Sequence, residues 1–227
     1  MNASPPLKPR DAASLVLYRR GARGVEVLMG QRHAGSVFMP NRFVFPGGRV
    51  DPGDRLIEPA TPLAFDVARR LARGCRSAAR PRALAIAAIR ETYEEAGLLI
   101  GRPSPLHVRL DQRHWAGFRE AGLAPALGGL CYIFRAITPP GLVRRFDARF
   151  FLAEADDSVV GTLSGNGELG NIAWLPIDEA MNLPLSMPTN LVLKEAADWI
   201  AASAEERAQR AVPLLVTRHG RHVLGTD

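Results

Sequence analysis

Three glutamates, Glu91, Glu94 and Glu95, stand within five residues of one another. On a helix the positions i, i+3 and i+4 share one side, so these carboxylates are gathered and repel unless a cation sits among them. Hard divalent cations such as Mg2+ or Mn2+ take oxygen ligands, commonly a few carboxylates together with phosphate oxygens and water, so the spacing suits a metal that recruits a phosphorylated substrate. The chemistry that follows is attack of water on a phosphate anhydride whose charge the metal has neutralised. Spacing alone favours a plainer reading, a solvated acidic face. The surrounding sequence changes that balance.

The elements that must position the trio are legible around it. A helix is predicted from near Pro81, since proline is tolerated in a first helical turn and alanine-rich sequence follows, and Gly97 is a natural stop. Along it Ile86, Ile89, Tyr93 and Ala96 form an apolar face, and the glutamates project from another. Upstream, short strands are predicted at 14–18, 25–29 and 42–45, the last running into Pro46-Gly47-Gly48, a backbone turn. A helix is expected at 63–73. Beyond the glutamates, the pattern predicts a helix at 112–121, strands at 130–136, 146–155 and 171–174, a helix at 177–181 and a longer one at 189–210. An apolar stretch follows at 212–216. Irregular alternation of this kind favours a mixed sheet between helices over a regular doubly wound sheet.

Phe45-Pro46-Gly47-Gly48-Arg49-Val50-Asp51-Pro52-Gly53-Asp54 and Arg90-Glu91-Thr92-Tyr93-Glu94-Glu95-Ala96-Gly97-Leu98 together resemble the two halves of the signature of the Nudix hydrolases. Asp54 stands where glutamate is usual, and Thr92 where an aliphatic residue is commoner. The 35 residues between Asp54 and Arg90 are far more than the family's short linker. An excursion joined to a loop on one side and a helix on the other can leave both halves adjacent, because loop closure depends only weakly on length. A branch of the family similar to peroxisomal acyl-coenzyme A diphosphatases carries an insertion at this point. The sequence also resembles that branch in Gln31-Arg32, in Val37-Phe38-Met39-Pro40, and in Ile137-Thr138-Pro139-Pro140-Gly141 with Arg144-Arg145-Phe146-Asp147.

The resemblance implies an α/β/α sandwich of Nudix type with a mixed sheet, one domain over 1–227 with an insertion at 55–82 and a helical C-terminal extension at 186–227. It implies that Glu94, Glu95 and the Gly48 carbonyl hold Mg2+ or Mn2+, that Glu91 ligates the metal too or helps position water, and that Arg90 orients the glutamates through a salt bridge. Glu168, six residues before Trp174, occupies a place where such proteins often keep a further acid for metal or base work; the alternative is a loop carboxylate. The implied substrate is a small nucleoside diphosphate linked to another group, with coenzyme A or an acyl-coenzyme A first and ADP-ribose or a dinucleotide second. A Nudix fold that binds nucleotide without cutting it is the competing class, against which the intact acidic trio argues.

Composition bounds these readings. The chain has 227 residues, 47% of them hydrophobic, and a formal charge of +6, enough apolar content for one domain with a full core. No run approaches the roughly 20 apolar residues of a membrane helix, and the N-terminus lacks the apolar centre of a secretory signal; a cytoplasmic protein that does not engage membranes is expected. Cys75 and Cys131 have no metal-type spacing. The positive charge concentrates at 55–82, where seven arginines face Glu58 and Asp66, a balance of +5. Few aromatics interleave with these arginines, so nucleic acid ranks below a small anionic substrate. Arg32, Arg42, Arg69, Arg70 and Arg73 are the candidate substrate-binding cations. For the basic segment a solvated surface helix is an equal alternative, and a lid or a homodimer contact are also open. His33, His107, His114, His219 and His222 form no metal-helix spacing and read as structural or surface residues.

Overall fold

The computed structural model describes residues 7–36, 39–73, 75, 77–104 and 112–227. Val37, Phe38, Arg76 and His107 lie outside the described residues.

The chain opens with the hairpin β1 (Arg10–Gly21) and β2 (Gly24–Arg32), onto which β3 (Phe43–Val44) and β4 (Gly47–Arg49) add short antiparallel pairings. Helices α1 (Phe65–Leu71) and α2 (Arg80–Ala96) follow, then β5 (Leu99–Pro103), α3 (Ala116–Glu120), β6 (Leu123–Pro125), β7 (Cys131–Ile137), β8 (Phe146–Glu154), β9 (Val159–Val160) and β10 (Leu169–Pro176). The remainder comprises α4 (Ile177–Ala180), α5 (Met187–Ala201), α6 (Ala204–Gln209), β11 (Pro213–Arg218) and β12 (Arg221–Thr226). Among the described residues the main sheet runs β10-β2-β1-β8-β7-β11-β12, with β3 beside β2 and β4 beside β1. It is mixed: β1 pairs parallel with β8, and β11 with β7, while its other pairings are antiparallel. A smaller sheet runs β6-β5-β9.

The period-2 alternation of β1 creates the layers. Ala13, Leu15 and Leu17 face one way and pack with Leu84, Ala88 and Ile89 of α2. Val16 and Tyr18 face the other way and join Val192, Leu193, Ala196 and Trp199 of α5. The sheet is thus sandwiched between helices, as the sequence predicts.

Helix α2 fulfils the predicted limits, with Pro81 in its first turn and Gly97 as a left-handed cap, φ +74, whose N–H returns to the Tyr93 carbonyl. Glycine suits that position because it bears no Cβ to clash in the left-handed region. The expected long helix at 189–210 is two helices. Ser203 breaks it with a capping box, its Oγ accepting from Glu206 N–H and Glu206 Oε2 accepting from Ser203 N–H, so a new helix starts there. The stretch after it is not helical: β11 and β12 form a hairpin that extends the main sheet. Among the described residues no helix is long and apolar enough to cross a membrane.

Candidate active site

The excursion between Asp54 and Arg90 leaves β4 through a short 3-10 turn, contains α1 and returns at the start of α2. Its two ends are clasped by a buried ion pair. Arg90 Nε donates to Asp54 Oδ1 at 2.9 Å and Nη2 to Asp54 Oδ2 at 3.1 Å, with both residues 3% exposed or less. Nη2 also reaches the Arg49 carbonyl at 2.9 Å, and Nη1 donates to Glu91 Oε1 at 2.8 Å and Glu94 Oε1 at 3.2 Å. Burial disfavours the Arg90 charge, yet the Asp54 hydrogen bonds and the fields of Glu91, Asp54 and Glu94 outweigh it and hold the guanidinium firmly protonated. For Asp54 burial prevails over the arginine and raises the carboxyl. Thr92 is fully buried, with no exposed surface, and its Oγ1 donates to the Ala88 carbonyl at 2.8 Å, so its hydroxyl is satisfied within the helix.

Gly47 and Gly48 bring β4 directly against α2. A Cβ on Gly48 would lie 2.5 Å from the Glu91 carboxyl carbon, so a bare backbone is what permits the approach. Gly47 N–H donates to Glu95 Oε2 at 2.8 Å. The glutamates therefore do not project from an open face: Glu95 is 2% exposed, and β4 and the 162–168 loop cover the helix end. That loop is fastened by Ser164 N–H to the Ala96 carbonyl, Asn166 N–H to the Glu94 carbonyl, and His33 Nε2 to the Gly167 carbonyl at 2.6 Å. It carries Glu168, exposed, close enough for its charge to act on both Glu91 and Glu95.

Burial raises Glu91 to about 7; Glu94 and Glu168 push the same way while Arg90 opposes. Burial also raises Glu95 to about 8, with Glu91 and Glu168 adding to it and the Gly47 N–H and Arg32 opposing. More negative charge converges here than the protein itself compensates. Among the described residues no three acidic, histidine or cysteine side chains form a ready metal cage. A cation of the magnesium type does not require one, because it is commonly held by one or two carboxylates with substrate phosphate and water. The donor set, all oxygen and under-compensated beside a glycine backbone, fits such an ion.

On the α5 side of the sheet a cleft of about 350 Å³ reaches the same glycines. Arg32, Gly47 and Gly48 line it with apolar groups that include Phe45, Ile137, Leu142, Phe150 and Met187. Arg32 belongs to both regions, since it lines the cleft and its charge lowers Glu95. The structure does not bring the other candidate cations to this place. Arg42 is exposed, directed at the Leu185 carbonyl and absent from the cleft wall. Arg69, Arg70 and Arg73 line a different cavity with Arg210 and Tyr132. They belong to the stretch preceding α2, whose start at Arg80 is about 16 Å from Glu91 along the helix axis.

Sequence reasoning missed His114. Its Nδ1 lies 2.6 Å from Glu94 Oε1, on a turn anchored by Trp115 and Phe118, and Phe118 stacks edge-on with Tyr93 at 5.7 Å. No spacing signals a contact 20 residues apart that tertiary packing makes.

Fold and site together define an α/β/α protein in which an acidic helix, fixed by a buried arginine, faces a glycine strand. No family model matches the chain. A crystal structure of a NUDIX hydrolase from Alicyclobacillus acidocaldarius is 31% identical, with a TM-score of 0.63, over 90% of this chain and 97% of that one. The Nudix domain of NrtR from Shewanella oneidensis, solved with ADP-ribose, shares the fold at 11% identity and a TM-score of 0.51, over 88% of this chain and 95% of that one. A curated Caenorhabditis elegans protein named as a nudix hydrolase is 28% identical over 209 residues, 84% of this chain; the chain spans 62% of that relative's length. The chain belongs to the Nudix hydrolase family.

Proposed function

We propose that the chain is a divalent-metal-dependent diphosphatase acting on a nucleoside diphosphate linked to another group, with coenzyme A or an acyl-coenzyme A as the preferred substrate. The observation that carries this reading is the grouping of Glu91, Glu94, Glu95 and the charge of Glu168 beside the Gly47-Gly48 backbone, with Glu91 against Gly48 and Glu95 accepting from the Gly47 N–H, at the edge of an apolar cleft that Arg32 also lines. Glu91, Glu94, Glu95 and the Gly48 carbonyl would hold Mg2+ or Mn2+. When bound, the ion neutralises diphosphate oxygens and makes water a competent nucleophile.

The remaining work belongs to the chain. Arg90, held by Asp54, keeps Glu91 and Glu94 in place through Nη1, and the Gly47 N–H fixes Glu95 through Oε2. Glu168 Oε, exposed beside them, is the acceptor best placed to take a proton from water. Arg32 supplies a fixed positive charge for a phosphate group entering from the cleft. An acyl-pantetheine arm suits the cleft because most of its wall is apolar.

A panel of coenzyme A, acyl-coenzyme A, ADP-ribose and a dinucleotide, assayed with Mg2+ or Mn2+ and again with chelator, tests the reading. Expected are two phosphorylated products, highest kcat/KM for the coenzyme A group, background rates in chelator, and a loss of ~100-fold or more in Glu94→Gln. Preference for ADP-ribose or the dinucleotide would overturn the substrate. Binding without turnover across the panel would make the protein a nucleotide sensor instead.

A further inference from the structure

The arginines at the end of α1 and just beyond it, drawn by the sequence toward the substrate, stand at a place of their own. Arg69, Arg70 and Arg73 share with Arg210, Tyr132 and the acidic Asp227 the wall of a polar cavity of about 230 Å³. Arg70 is braced by backbone alone, Nη1 on the Arg210 carbonyl at 2.9 Å and Nη2 on the Ala208 carbonyl at 3.0 Å. Arg73 Nη1 donates at 3.2 Å to the main-chain oxygen of Asp227, the final residue, where that oxygen is part of a carboxylate. Arg210 is matched by Glu195 at 2.9 Å, and the Asp227 side chain is already taken by Tyr132 and Arg135. Among the described residues neither Arg69 nor Arg70 makes an ion pair with a carboxylate, so these two charges face the hollow uncompensated.

Guanidinium groups offer fork geometry suited to phosphate oxygens, and a hollow of about 230 Å³ suits a compact anion better than a nucleic-acid strand. We infer that this cavity is a second anion site, for a small phosphate-bearing molecule, separate from the glutamate site. The two cavities share no lining residue. Tyr132 and Val212 of this one belong to the α2 side of the sheet, whereas Phe150 and Leu215 of the apolar cleft belong to the α5 side. An anion held here bridges α1 to the 208–212 stretch and fastens the excursion to the C-terminal part of the fold. The inference stands independently of the diphosphatase reading.

The probe is inorganic pyrophosphate, titrated calorimetrically into the full chain in chelator, so that the glutamate site has no metal to recruit it. Three proteins are compared: the wild type, Arg69→Gln with Arg73→Gln, and Arg32→Ala. The expected result is one pyrophosphate per chain in the wild type, affinity reduced by ~10-fold or more in the double variant, and unchanged affinity in Arg32→Ala. Pyrophosphate should also raise the wild-type Tm more than sodium chloride of equal ionic strength does, with that excess absent from the double variant. If the double variant does not fold, Arg69→Gln alone, which removes an exposed side chain, decides by the same titration. Binding retained in the arginine variants, binding lost in Arg32→Ala, a Tm gain equal to that of sodium chloride, or no binding would each overturn the inference.

Discussion

Glu95→Gln separates the glutamate site's chemistry from its stability. Glu95 rises from its ordinary value of 4.5 to about 8, because burial and its acidic neighbours oppose its charge. A carboxyl raised on folding favours the native state fully below the unfolded pKa, and that advantage is lost as pH rises toward the folded one. At pH 5 the folded residue is protonated while about three quarters of the unfolded carboxyls are already ionised, so a neutral glutamine, whose carbonyl can still accept from Gly47 N–H, should gain only about 1 kcal/mol or less. At pH 7 the unfolded carboxyl is ionised while the folded one still holds its proton. The gap of about 2.5 pH units at 1.36 kcal/mol each makes the wild type about 3 kcal/mol less stable than at low pH through this one group. Urea unfolding in chelator, at pH 5, 7 and 8.5, should therefore show Glu95→Gln more stable than the wild type by only about 1 kcal/mol or less at the first pH and by about 3 kcal/mol at the second. The gain should be larger at the third. Added Mg2+ should stabilise the wild type and not the variant, and turnover in the variant should be lost. Parallel stability curves across the three pH values would refute the argument that Glu95 is held uncompensated.

Gly48→Ala should leave stability nearly unchanged, because its Cβ meets only the movable end of Glu91, but should cut turnover by displacing that carboxylate. Gly47→Ala should instead lower stability by about 1 to 3 kcal/mol, since its Cβ would meet the Ser14 backbone at 2.6 Å; unfolding and rate measurements on the pair distinguish the two glycines. Asp54→Ala should lower stability by about 3 to 5 kcal/mol in urea, because it strands the buried Arg90 charge. Ala148→Phe, which fills part of the apolar cleft, should raise KM for acyl-coenzyme A while changing kcat little; an unchanged KM would remove the cleft from substrate binding.

The parts of the fold that local chemistry decides were open to reading. Pro81 and Gly97 mark the ends of α2, and alternation in β1 and β2 marks a strand pair, because each signal resides in neighbouring residues. The glutamate trio could be recognised from its spacing and from the Gly-Gly turn. Its burial could not, because the covering comes from β4 and from a loop some seventy residues away in sequence. The destination of Arg69, Arg70 and Arg73 was likewise hidden, since what braces Arg70 and Arg73 is main-chain oxygen at 208, 210 and 227. Strands β5, β6, β9 and β12 are short or exposed and carry weak periodicity, and the Ser203 capping box within a helical-looking stretch was passed over.

The clasp between Asp54 and Arg90 has an evolutionary consequence. Because the two halves of the acidic site are joined side chain to side chain, the backbone between them is not what holds the carboxylates in register. Doubling the length of a flexible loop changes its closure free energy by only about 0.6 kcal/mol, whereas breaking a buried pair costs several times that. The stretch between these residues can therefore lengthen, shorten or acquire charge with little effect on the carboxylate geometry. It is a position where descendants of one ancestral site can diverge in what they sense or bind while keeping the same acidic centre.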